Sequence, residues 1–202
     1  MAVELRRKRV TKSREDRRQE LLNAAVQVFQ EKGITEATVA DITQAAGVAK
    51  GTFYLYFDSK EQLLASLREQ FVDEMVTKGI EYMERVGKED WWSLADSVVE
   101  HTIDHMLERR DVIHIFSQEP MTSETHAIFA ECEAKMNQMM AAGIQMGVEA
   151  GVFKVSDPLM TASFLHHAIE GSVLEAILYG GEPDRDRLVA NAQELTRKLL
   201  AP

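Results

Sequence analysis

Apolar residues recur along this chain at three- and four-residue intervals almost from end to end, and strand-like alternation is scarce. Between residues 14 and 32, Leu21, Leu22, Ala25, Val28 and Phe29 fall on one helical stripe. Gly33 follows, a residue that takes the left-handed conformation of a helix end without a Cβ penalty. Thr38, with Asp41 three residues on, predicts a capped second helix whose inner face carries Val39, Ile42, Ala45 and Ala46 and which Gly47 closes. A third, short helix is expected from Ala49 to Tyr56, and a fourth from Ser59, with Gln62 completing a capping box. Further helices are expected over residues 90–109, 111–117, 123–150, 158–179 and 184–200. Asp157-Pro158 is a strong start signal for one of them, and Gly180-Gly181-Glu182-Pro183 a clear break. The expected fold class is all-α, with about nine helices. It divides into residues 1–58, a basic arm and a helix-turn-helix of three helices, and residues 59–202, a larger helical domain for ligand binding and dimerisation.

Composition changes this picture little: hydrophobic residues are 45% of 202, ordinary for a globular chain with a real core. The absence of any apolar run of roughly 18 residues argues against a membrane partner. A basic start without an apolar stretch behind it is not a secretory signal. One cysteine, Cys132, leaves no internal disulfide and fits a reducing cytoplasm, the expected location.

Charge changes it more. The net charge is −10, yet residues 1–18 carry eight Lys or Arg against three acids, and residues 1–60 keep a net +3. The rest of the chain must then hold −13. A basic end on an acidic body points to a nucleic-acid arm, here residues 6–12, although a merely solubilising tail has the same composition.

The segment from Thr38 to Leu64 reads TVADITQAAGVAKGTFYLYFDSKEQLL. Small Ala45 and Ala46 let two short helices cross closely, and Gly47 supplies the turn. Val48, Phe53 and Phe57 are expected to face Ile42, Val28 and Phe29. Lys50, Gly51, Thr52, Tyr54 and Tyr56 are then left outward, with Lys60 at the next helix start. This is the chemistry a groove-reading helix needs: amides and hydroxyls for phosphates, an ammonium for a phosphate or guanine edge, and a glycine that permits close backbone approach.

These motifs resemble the TetR family of bacterial regulators: Phe-x-x-Lys-Gly closing the first helix, then Thr-x-x-x-Ile, Ala-Ala-Gly-Val, Lys-Gly-Thr-Phe-Tyr-x-Tyr-Phe and Ser-Lys-Glu-x-Leu. The resemblance is specific over about residues 14–65 and beyond them extends only to length and helical layout. It implies that Thr38, Lys50, Gly51, Thr52, Tyr54, Tyr56 and Lys60 contact DNA. Ala49 joins the set by position, although the family often has Ser there and the alanine forfeits a capping hydroxyl. Thr43 stands where the family often has Ala and is expected only to widen the helix crossing. The resemblance further implies a homodimer on near-palindromic double-stranded operator DNA, since twofold symmetry places equivalent helices in successive major grooves.

Residues 66–202 show no catalytic constellation and no glycine-rich phosphate loop, so the chain is expected not to be an enzyme and to need no cofactor. Cys132, between Glu131 and Glu133, is expected to be a poor nucleophile. In 158–179, Leu165, Ile169, Val173 and Ile177 form a core face. His167, Gly171, Leu174 and Leu178 form a second face that seeks a partner. The last helix offers Leu188, Ala192, Leu195 and Leu199, completing an intersubunit four-helix bundle. Seven of the ten methionines lie between Met106 and Met160, and Met reshapes readily around varied ligands. The candidate lining of an effector cavity is Trp92, His105, Phe116, Met121, Phe129, Met136, Met139, Met140, Phe164 and His167. The helix-weakening glycines Gly143, Gly147 and Gly151 suggest close packing. Glu100, Glu119 and Glu170 lie among apolar residues, where acids favour a cationic ligand, although solvated or capped acids look the same in sequence.

The expected function is a ligand-responsive transcriptional repressor, released from its operator by a small lipophilic effector. Two other readings remain open. A metal-responsive regulator would use His101 and His105, an i, i+4 pair that lacks further ligands nearby in sequence. A carrier or enzyme for lipophilic molecules would hold only a vestigial DNA unit.

Overall fold

The computed structural model describes residues 13–86, 90–118 and 123–202. Among them are nine α-helices and no strand. The chain divides between Leu63 and Leu64 into two compact units, a few residues beyond the boundary expected from sequence.

The first unit holds α1 (Arg14–Glu36), α2 (Val39–Ala45), α3 (Lys50–Phe53) and the start of α4 (Lys60–Val86). Ser13 caps α1 in a reciprocal box with Asp16. At Gly33 the backbone turns to φ 75°, ψ 162°, breaking the helix as expected, and Ala37 N–H closes the last turn on the Gly33 carbonyl. The Thr38–Asp41 box forms on both sides.

The inner face of α2 differs from expectation. Ala45 is exposed, and Thr43 is buried in its place beside Ile42. A buried hydroxyl is tolerable here because it donates to the Val39 and Ala40 carbonyls, 3.0 and 3.1 Å away, and so needs no partner from another element. The third helix is shorter than expected. After Phe53 the chain continues in tight turns, with Leu55 N–H donating to Thr52 and Tyr56 N–H to Phe53.

The second unit comprises the remainder of α4 with α5 (Trp91–Glu108), α6 (Arg110–Ser117), α7 (Ser123–Glu149), α8 (Pro158–Tyr179) and α9 (Arg185–Leu200). α7 packs along α8, and α5 along α9. One core cluster joins Trp91 and Leu94 of α5, Ile144, Phe153, Leu165 of α8 and Leu200 of α9. Phe153 fits flush against Gly147, where a Cβ would lie 2.1 Å from the ring. Gly151, at φ 72°, ends α7 rather than packing within it. Asp157 accepts from Met160 N–H, and Pro158 opens α8 as its first residue. Among the described residues no helix is long and apolar enough to cross a membrane.

Candidate nucleic-acid interface and effector cavity

The turn after Gly47 (φ 65°) sets the third helix on a buried base. Phe53 is fully buried and Phe57 nearly so, over a layer containing Val28, Phe29 and Ile42. Val48 is only half-buried. With that side anchored, helical geometry turns Lys50 and Gly51 into solvent with Tyr54 (51% exposed), while Thr52 and Tyr56 are half-buried. Ala49, exposed, caps the helix without any side-chain hydrogen bond. The first-turn amides therefore have no side-chain acceptor, as a phosphate site requires. Two neighbours that sequence reading missed share this region. Arg14 lies 5.9 Å from the Tyr56 ring centre, and Leu55 is 68% exposed on the same turn. The arm at 6–12 lies outside the described residues.

Two of the expected contacts are engaged within the unit. The Thr38 hydroxyl accepts from Asp41 N–H and donates to the Asp41 carboxylate. That carboxylate also takes Thr38 N–H and the Lys32 ammonium, and these partners lower its pKa to about 2. Lys60 is engaged more fully. Its ammonium donates to the Ile34 carbonyl at 2.6 Å and the Ala37 carbonyl at 2.9 Å. Those oxygens sit where α1 ends, a place of surplus acceptors that draws a cation inward.

In the second unit an apolar cavity of about 100 Å³ lies among α4, α5, α7, α8 and α9, floored by Trp91, Phe153 and Leu165. Gly79 leaves room for the Met139 side chain, whose sulfur lies 3.5 Å from where a Cβ would stand, and Gly143 and Met140 also line the cavity. A second space of about 40 Å³ shares Val98, Val99, Met140 and Ile169 with the first and ends in Met136, His166 and Glu170. Burial lowers the His166 pKa to about 4 and raises that of Glu170.

Of the expected lining, Met136, Met139 and Met140 therefore border these spaces. The others that the structure describes stand elsewhere. Trp92 packs on Phe153 with Arg197 over its face, leaving the lining to Trp91. Phe116 and Phe129 sandwich the Arg68 guanidinium at 4.2 and 4.7 Å. His105 is buried against Phe71, with its pKa lowered by burial. Phe164 is 66% exposed, and His167 is exposed beside Glu133. Met121 and Glu119 lie outside the described residues. Helical periodicity separates inside from outside, but which buried side chains border a void depends on how five helices meet.

The acids and histidines also rearrange the expectations. Glu100 pairs with Arg185, which also bonds Asp104. Among the described residues, the group able to gather three metal ligands is Glu133, His166 and His167, not His101 and His105. Cys132 is buried and its thiol pKa is raised, first by burial and only then by neighbouring glutamates.

The family described as bacterial regulatory proteins, tetR family, matches residues 21–67. An uncharacterized HTH-type transcriptional regulator of Bacillus subtilis, YvdT, is 35% identical over 97 residues, 47% of this chain and 48% of that protein. The chain thus spans about half the length of that relative. The HTH-type transcriptional repressor KstR2 of Rhodococcus jostii is 27% identical over 71% of each chain. The crystal structure of the transcriptional regulator FadR from Bacillus subtilis in complex with stearoyl-CoA superposes with a TM-score of 0.79. It covers 88% of this chain and 96% of that one, and at 22% identity the likeness is one of fold. The motif-bearing segment, residues 21–67, is thus similar to the DNA-binding segment of the tetR family, and the rest of the chain shares the all-helical layout of its structural relatives.

Proposed function

We propose that the chain is a repressor that binds a palindromic operator as a homodimer and is released by a small lipophilic effector. The observation that carries the reading is the outward face of Lys50, Gly51, Thr52 and Tyr54 on a buried Phe53–Phe57 base. Such a face offers donors to phosphates and base edges while its own packing fixes their direction. A second chain is accommodated by the outer faces of α8 and α9. Phe164, Tyr179, Leu195 and Leu199 are exposed there, and a groove of about 590 Å³ runs between the helices. An apolar effector suits the methionine-walled cavity, and the fold relative from Bacillus subtilis was solved with stearoyl-CoA, a ligand with a long apolar chain. Ligand pockets usually span roughly 300–1,000 Å³, so a large effector must displace methionine side chains to enter. α4 runs unbroken across the division between the units and is the natural lever of release.

The test is fluorescence anisotropy of the full chain on its own upstream DNA, with and without acyl-CoA and free fatty-acid probes. Specific binding that Lys50→Ala and Tyr54→Ala weaken without loss of thermal stability supports the reading. A carrier with a vestigial DNA unit gives no specific complex, and an effector that binds without changing operator affinity ends the release mechanism.

A further inference from the structure

α7 and α8 face each other along the second unit and bring three side chains together: Glu133 of α7 with His166 and His167 of α8. Their ligating atoms all lie within 4.8 Å of one another. Glu133 Oε2 stands 3.4 Å from His166 Nδ1 and 3.7 Å from His167 Nε2. Two donors at about 2.1 Å from a tetrahedral ion stand about 3.4 Å apart, so this spacing suits a shared ion between them.

The outer bond of the His167 imidazole favours the same arrangement. His167 Nδ1 lies 2.7 Å from the Ser163 carbonyl, which can only accept. The Nδ1 proton is therefore directed there, and in the neutral ring the Nε2 lone pair is left facing Glu133. His166 Nδ1 lies 3.0 Å from Asn137 Oδ1, which accepts its proton in the neutral ring, so ligation through Nδ1 requires that proton to move to Nε2, which faces Glu170 at 3.9 Å. A ligating histidine whose second nitrogen is oriented by a carboxylate or a carbonyl is the usual outer arrangement of a metal site. On ligation Asn137 Oδ1 is released from His166 Nδ1 and becomes a neutral oxygen beside the ion.

A second observation is independent of the spacing. Glu133 Oε2 is buried and has no hydrogen-bond partner among the described residues. A buried carboxylate oxygen without a hydrogen bond is costly, and a bound cation is one of the few groups that satisfies it.

We propose that Glu133, His166 and His167 bind a divalent transition metal of the zinc class, leaving one coordination position open to water or an exogenous ligand. Two imidazoles and one carboxylate suit zinc, nickel or copper, whereas magnesium and calcium prefer oxygen ligands throughout. Glu170 is a positioning residue that acts through His166. Arg68 contributes the opposing charge of the neighbourhood, its guanidinium held between Phe116 and Phe129. The site lies wholly within the second unit and does not depend on the repressor reading.

The test uses the full chain stripped of metal and titrated calorimetrically with zinc chloride, then with cobalt(II) followed in the visible spectrum. One zinc per chain and an intense four-coordinate cobalt spectrum are expected. His167→Ala, a change at an exposed position that spares the core, and Glu133→Gln should each remove stoichiometric binding. Glu170→Gln should weaken it by about 10- to 100-fold while keeping one ion per chain. His101→Ala should bind as the parent does. Circular dichroism checks that each variant is folded; if His166→Ala fails this check, the His167 and Glu133 variants still decide. Absence of one-to-one binding in the parent, a pale six-coordinate cobalt spectrum, or unchanged affinity in both His167→Ala and Glu133→Gln would overturn the site.

Discussion

Lys60 illustrates how a residue type suited to one role can already be engaged in another. A lysine at a helix start beside a DNA-reading turn reads as a phosphate contact, but the carbonyls of Ile34 and Ala37 hold its ammonium. Lys60→Met should therefore lower thermal stability by about 1–3 kcal/mol, the cost of leaving buried acceptors unpaired. In salt titrations of DNA binding the slope should stay unchanged, where loss of a phosphate contact would reduce it by about 0.9. Cys132 shows the reverse case: its poor nucleophilicity was legible, but the main cause was not. Burial raises the thiol pKa more than Glu131 and Glu133 do, and burial is a property of packing. Native protein should react with a thiol reagent far more slowly than unfolded protein at the same pH, and equal rates would contradict this. Asp41 was legible as a cap, but not as the partner of Lys32 nine residues back. Its carboxylate is held at about 2 against an ordinary 3.8, so the charged form stabilises the folded state. That contribution is complete above 3.8 and disappears as pH falls through about 2. Thermal melts of Asp41→Asn and the parent should differ above 3.8 and converge near 2.

At the scale of elements, helix starts were read well because capping is local. Thr38, Ser59 and Asp157 each need only a backbone amide three residues ahead, and each finds it. The third helix was overestimated because its second half holds together through tight turns over the buried Phe53 and Phe57. Gly147 and Gly151 were grouped by spacing, yet they do different work. Gly151 supplies a positive φ at the end of α7, whereas Gly147 supplies empty space for Phe153. Gly147→Ala should destabilise the second unit by about 1–3 kcal/mol, since the ring must move to admit a methyl group. Chemical denaturation of the full chain measures the loss.

For the whole molecule, the expected effector residues were a mixture of wall, core and surface. Met136, Met139 and Met140 border the apolar spaces, but Phe164 points outward and Phe116 and Phe129 enclose a guanidinium. The His101–His105 pair drew notice because four-residue spacing is visible in one helix. Glu133, His166 and His167 did not, because two helices far apart in sequence must first be packed together. The sequence alone determined what depends on near neighbours: helical content, most helix limits, the turn at Gly47 and the motif on which the likeness to the tetR family rests. Tertiary structure decided what depends on distant contacts: which methionines meet a void, which lysine is spent on a carbonyl, and which acid stands beside which histidine. Backbone propensity and capping act over three or four residues, whereas burial and electrostatic partnership are set by the packing of whole helices.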